Sequence, residues 1–183
     1  MRIISGTARG RRLKELPGLD TRPTTDKVKE SIFNIIQFDV EGRRVLDLFG
    51  GTGQLGIEAL SRGAERAVFV DAGREAAKII QENLEMTGFS RQARVVRGDA
   101  LSFLGSCREK FGLAFLDPPY AADLMDQALK QMAAIDIMTE NGIIICESSL
   151  EKVLPQLPGP YEKGREYRYG KIKLTLYHRR ALP

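Results

Sequence analysis

The sequence predicts an α/β fold, a doubly wound and mostly parallel sheet with helices on both faces. Three observations predict it. Downstream of Gly42, five short apolar runs alternate with helix-like segments. The runs are nearly continuous in apolar character, as in VLDLF, AVFV and IIIC, which suits strands buried on both sides. The first run opens into a turn with the spacing Gly51-x-Gly53-x-x-Gly56, the strand-to-helix junction of nucleotide-binding sheets.

Taken in order, RIISGTARGRRLKEL reads as a short basic hairpin or arm with two glycines. Thr24 or Thr25 then N-caps a helix through DKVKESIFNII, whose apolar face is Val28, Ile32, Phe33, Ile35 and Ile36. Strands are predicted over 44–49, 66–71, 94–97, 113–117 and 142–147, with helices over 54–61, 74–86, 101–110 and 123–138 between them. After Pro158-Gly159-Pro160, the segment REYRYGKIKLTLYHRR forms two alternating runs around Gly170, an antiparallel hairpin closing the sheet edge. The change of character near residue 40 divides the chain into a basic arm and helix (1–40) and a main domain (41–183).

At 183 residues the chain suffices for one domain with a sizeable core. It is 43% hydrophobic and 28% charged, no apolar run approaches a membrane span, and the N-terminus lacks the apolar core of a secretion signal. A cytoplasmic protein is expected. Cys107 and Cys146 fall in a helix-like and a strand-like segment without metal-ligand spacing, so both are assigned to packing and no metal is expected. Through Lys29 there are eight Lys and Arg against Glu15, Asp20 and Asp26, while the remainder is about neutral. A basic end on a neutral body suits a polyanion, because released counterions drive such binding, although charge alone favours a merely solvated surface.

In a doubly wound sheet, ligands bind beyond the carboxyl ends of the strands. Four of the first five strand segments end in an acid: Asp47, Asp71, Asp99 and Asp117. A pyrophosphate would meet Asp47 within its own glycine loop, where like charges in a partly desolvated cleft repel strongly. S-adenosylmethionine has no phosphate, and its cationic end suits an acidic pocket. Asp47 would oppose its ammonium, Gly51 and Gly53 would let the backbone approach, and Asp71 would grip the ribose hydroxyls. Asp99 fits two readings, an acceptor for the adenine amine with the Ala100 amide on a ring nitrogen, and an N-cap for the following helix.

The sharpest signal is FLDPPY, directly after the fourth run. Two prolines fix φ and remove backbone donors, which stiffens the loop and turns acceptors outward. Asp117 and the Asp117 or Pro118 carbonyl would accept both N–H groups of an exocyclic amine and stabilise the charge that develops as nitrogen attacks a methyl sulfonium. Tyr120 offers a stacking face for a base. The single histidine, His178, lies in the last strand-like run as a surface or edge residue, and no nucleophile triad is evident.

LDLFGGTGQLGIEALSRGA and LDPPY resemble the class I S-adenosylmethionine-dependent methyltransferases of exocyclic amines. With RIISGTARGRRL and RPTTDKVKESIFN, the chain is similar over nearly its whole length to the bacterial small-subunit ribosomal RNA guanine-N2 methyltransferases. The resemblance implies a seven-stranded sheet with an antiparallel C-terminal edge strand and methylation of one guanine N2 in small-subunit ribosomal RNA, leaving S-adenosylhomocysteine. It implies chemistry at Asp117, Pro118 and Tyr120, cofactor contacts from Asp47, Phe49, Gly51, Gly53, Asp71 and Asp99, and RNA contacts from Arg9, Arg11, Arg12, Arg22 and Lys27. Relatives often carry Glu where Asp71 stands and an acid near Gly73, so an altered ribose contact is implied. A monomer acting on an assembled or partly assembled subunit is expected. The alternatives are an amino-methyltransferase of adenine or cytosine in DNA, disfavoured by the lack of room for a target-recognition region, and a nucleotide-dependent oxidoreductase or non-catalytic binding domain.

Overall fold

Residues 1–18, 24–119 and 123–182 are described by the computed structural model of the protein. Seven strands form one sheet: β1 (Arg44–Asp47), β2 (Arg66–Asp71), β3 (Ala93–Arg97), β4 (Phe111–Leu116), β5 (Met138–Ser149), β6 (Tyr161–Tyr169) and β7 (Ile172–Arg179). Their order is β3-β2-β1-β4-β5-β7-β6. The first five are parallel, and β7 is antiparallel to both β5 and β6. The C-terminal strand is thus antiparallel as expected, but the outer edge belongs to β6. Burial explains the choice: Leu174, Leu176 and Tyr177 of β7 are buried, whereas the polar YEKGREYRY of β6 tolerates an edge.

Among the described residues, α1 (Asp26–Ile35) precedes β1, and α2 (Gln54–Ser61), α3 (Arg74–Thr87), α4 (Ala100–Ser106) and α5 (Leu124–Ala134) connect the parallel strands. The period-two alternation of the strands divides the core in two. Val45, Phe69, Leu113, Phe115 and Ile145 face α1, α2, α3 and the N-terminal hairpin. Leu46, Val70, Ala114, Leu116 and Ile144 face α4 and α5. Both faces are therefore dry, which is why the runs read as continuously apolar.

Thr25 wins the competition to cap α1, its hydroxyl accepting from the Val28 amide at 3.2 Å. The N-terminal segment is a hairpin clasped onto the sheet: Arg2 bridges Arg12, and Ile3, Ala8 and Leu13 join one core cluster with Val45, Phe69 and Leu113. Two helices are shorter than predicted. α4 stops at Ser106, with half-buried Cys107 as its extended C-cap (φ −72°, ψ 131°) rather than inside it, and Glu109 beyond it pairs with Arg94 of β3. α5 stops at Ala134 because Asp136 adopts a left-handed φ of 49°, where its carboxylate receives Tyr161 and Arg179. Met138 consequently begins β5 instead of ending a helix.

The strand order reverses between β1 and β4. That is where a doubly wound sheet leaves a crevice at its carboxyl edge.

Candidate active site

At that crevice lies a cavity of about 1100 Å³, running from the glycine loop to the end of β5. The loop owes its shape to two left-handed glycines, Gly51 (φ 59°) and Gly53 (φ 82°), the latter N-capping α2. Gly56 serves a different end, since a Cβ there would stand 2.3 Å from the Phe69 ring, so its absence lets α2 lie against β2. Gly51 and Phe49 are on the cavity wall, whereas Gly53 is not.

Two acids hold the loop in place. Asp71 ties the glycine loop to the turn before α3, its Oδ2 accepting from the Gly51 amide at 2.9 Å and its Oδ1 from the Gly73 amide at 2.8 Å. Each oxygen keeps a second acceptor site for a hydroxyl on the cavity side. Asp47, only 3% exposed, accepts from the Gly56 amide at 3.0 Å. Burial pushes its carboxyl up to about 7, the Asp71 charge adds to this, and the Gly56 amide opposes it. Beside it, the Gln54 carbonyl oxygen is buried on the wall with no hydrogen-bond partner among the described residues. Asp47 and Gln54 together form an acceptor set for a cationic group.

Across the cavity, Asp117 and Pro118 present the loop that follows β4. Burial drives the Asp117 carboxyl well above the usual carboxylate range, helped by the charges of Glu147 and Asp47. Tyr120 lies outside the described residues.

Asp99 takes the capping role among its two readings, its Oδ2 accepting from the Ser102 amide at 2.9 Å, and neither it nor Ala100 is on the cavity wall. Gln54, Glu147 and Thr24 are on the wall but were not anticipated as site residues. Glu147 ends the fifth apolar run as the other acids end theirs, and that shared position was the signal for it. Thr24, weighed only as a cap, donates its hydroxyl to Glu147 Oε2 at 3.0 Å.

On the N-terminal hairpin and α1, Arg9, Arg12 and Lys27 are exposed, and among the described residues none has an acidic partner within 4.0 Å. Arg22 lies outside the described residues. Arg11 is exposed too, but its guanidinium donates to the Met86 carbonyl near the end of α3. Lys29, counted above in the basic end, is fully buried and contributes nothing to the surface.

Sheet order and glycine loop define a class I methyltransferase fold. The chain belongs to the family described as Conserved hypothetical protein 95, which it matches over residues 1–178. It is 42% identical to the "Putative rRNA methyltransferase YlbH" of Bacillus subtilis, across 99% of this chain and 100% of that one. It is 36% identical to the ribosomal RNA small subunit methyltransferase D of Escherichia coli K12, across 99% of this chain and 91% of that one. A solved structure described as "Putative methyltransferase yhhF" from Escherichia coli superposes with a TM-score of 0.90 at 34% identity, covering 100% of this chain and 99% of the other.

Proposed function

We propose that the protein transfers a methyl group from S-adenosylmethionine to the exocyclic N2 of a guanine in small-subunit ribosomal RNA. The observation that carries this is the single cavity in which an acidic glycine loop faces the Asp117–Pro118 turn. Acidic walls disfavour a pyrophosphate and suit both a cationic ligand and an amine. The whole-length similarity to small-subunit ribosomal RNA methyltransferases supports the substrate class.

S-adenosylmethionine supplies an electrophilic methyl on a sulfonium. Asp47 and the orphaned Gln54 oxygen would receive its ammonium, Asp71 its ribose hydroxyls, and Phe49 its apolar surface. With Oδ2 of Asp99 engaged in the cap, its Oδ1 and the Ala100 amide, just beyond β3, would serve the adenine edge. Asp117 and the carbonyls of the proline turn accept the two N–H groups of the amine, orient its lone pair, and stabilise the positive charge on nitrogen during attack. The proton leaves to Asp117 or to water, so no strong base is needed beforehand. Tyr120 would stack on the base. The basic segment would meet RNA through Arg9, Arg12 and Lys27, which face solvent, and through Arg22, with Arg11 as its anchor and 41–183 as the catalytic body.

The test is tritiated methyl transfer to free ribosomal RNA, undermethylated small subunits, large subunits and duplex DNA. Label at guanine N2 of small-subunit RNA is expected. Label confined to DNA, or to another nucleotide position, overturns the assignment.

A further inference from the structure

Glu147, an acid on the cavity wall, has no part in the chemistry above. Leu116 of β4 pairs with Cys146 of β5 in parallel register, so the following residues, Asp117 and Glu147, leave adjacent strands at the same level. Both line the cavity. Paired residues of parallel neighbours project to the same face, which sets the two carboxylates side by side. The Thr24 hydroxyl holds Glu147 by Oε2, and among the described residues Oε1 has no hydrogen-bond partner. Two neighbouring half-buried anions are costly in an empty cleft, and burial raises both carboxyls. The ligand that offsets such a cost brings two adjacent donors.

We propose that Glu147 selects the base: while Asp117 receives the amine, Glu147 accepts the neighbouring ring N–H of guanine. This rests on the guanine-N2 reading above and names the group that makes the target guanine. On its Watson–Crick edge guanine sets N1–H beside N2–H2, two donors in a row. Adenine and cytosine set a lone-pair ring nitrogen beside their amine, and a carboxylate repels it. The Thr24 hydroxyl, by donating to Glu147, favours the ionised acceptor form over a protonated one that would suit adenine. Paired acceptors therefore match guanine alone among the amine-bearing bases.

The experiment uses the acceptor nucleotide mapped by the tritium assay, present either as guanine or as 2,6-diaminopurine in otherwise identical RNA or reconstituted subunits. The analogue keeps the C2 amine and replaces N1–H by a lone pair. Wild-type protein is expected to prefer guanine in kcat/KM by roughly ten- to a hundredfold, the discrimination of one good paired contact to a base edge. Glu147→Gln, whose amide can donate to the ring nitrogen, should shrink that ratio at least severalfold or invert it. Glu147→Asp should keep the preference, and the affinity of each variant for S-adenosylmethionine reports that it is folded. Equal loss on both acceptors in Glu147→Gln, or no preference in the wild type, overturns the role of Glu147. Absence of any label at guanine N2 with the wild type defeats the underlying reading instead, so the two failures are distinct.

Discussion

The Lys29 ammonium and the Glu58 carboxylate, both fully buried, stand 3.8 Å apart where the N-terminal hairpin, α1 and α2 meet. Glu58 is the hub. It accepts from the Ile4 amide at 2.8 Å and the Ser5 amide at 3.3 Å, and it faces Arg62 at 3.5 Å. Lys29 in turn donates to the Arg2 carbonyl. Burial lowers the Lys29 pKa and the Glu58 charge opposes this. Removing Glu58 strands two amides and a buried ammonium together, so Glu58→Ala is expected to cost about 3–5 kcal/mol in urea unfolding. Lys29→Met should cost less, because Arg62 and the amides still compensate Glu58. Equal costs would show that the hairpin is not latched through Glu58.

With the ligand ammonium placed at Asp47 as proposed, cofactor binding should depend on pH. The Asp47 carboxyl titrates at about 7 in the folded protein against 3.8 ordinarily, with Asp71 and Asp117 as the charges facing it. A raised carboxyl contributes stability that is complete below pH 3.8 and is lost as pH rises through 7. Asp47→Asn should therefore stabilise the cofactor-free protein at pH above about 7, with little effect near pH 4. A ligand ammonium at this site favours the ionised form, so calorimetric affinity for S-adenosylmethionine should tighten from about pH 5.5 to 7.5 and be weaker and flatter in Asp47→Asn. A pH-independent wild-type affinity would remove Asp47 from the ammonium contact.

The sheet was legible in the sequence because its strands are dry on both faces and its turns carry glycines and acids. The span of α2 and the cap of α1 followed from local signals alone, Gly53 before one helix and Thr25 before the other. What was not legible depended on partners distant in the chain. Asp136 ends α5 early because it bonds Tyr161 and Arg179, 25 and 43 residues away. Lys29 looked like surface charge until Glu58 was seen beneath it. Thr24 and Glu147 are 123 residues apart, and only the fold places that hydroxyl on that carboxylate. The acids of the first, second and fourth strands were legible as a register, but the bonds of Asp47 and Asp71 to backbone amides were not.

In the proposed reaction Asp117 would touch the acceptor amine rather than the cofactor. Asp117→Ala should therefore reduce kcat by about 10²–10³, the loss typical of one well-placed group stabilising developing charge, with calorimetric affinity for S-adenosylmethionine within a few fold of wild type. Asp117→Asn retains one acceptor oxygen and should fall in between. The Glu147 charge raises the Asp117 carboxyl. Glu147→Gln should consequently shift the acid limb of the kcat/KM profile to lower pH, because the remaining carboxylate ionises more readily. Collapse of cofactor affinity in Asp117→Ala would reassign Asp117 to the cofactor side.

The arginines of the hairpin separate into two kinds. Arg9 and Arg12 are exposed, with no acidic partner within 4.0 Å among the described residues, whereas Arg11 spends a donor on the Met86 carbonyl. Free guanidinium groups release counterions when they meet phosphates, and each contact contributes about 0.7–0.9 to the slope of log K against log salt. Arg9→Gln with Arg12→Gln should thus weaken RNA association and flatten that slope by about 1.4–1.8 if both meet phosphates. Arg11→Gln should instead loosen the hairpin from α3, lowering thermal stability with a smaller change of slope. Should the Arg9 and Arg12 double variant keep the wild-type slope, phosphate binding lies elsewhere on the molecule, and the hairpin serves only to close the core.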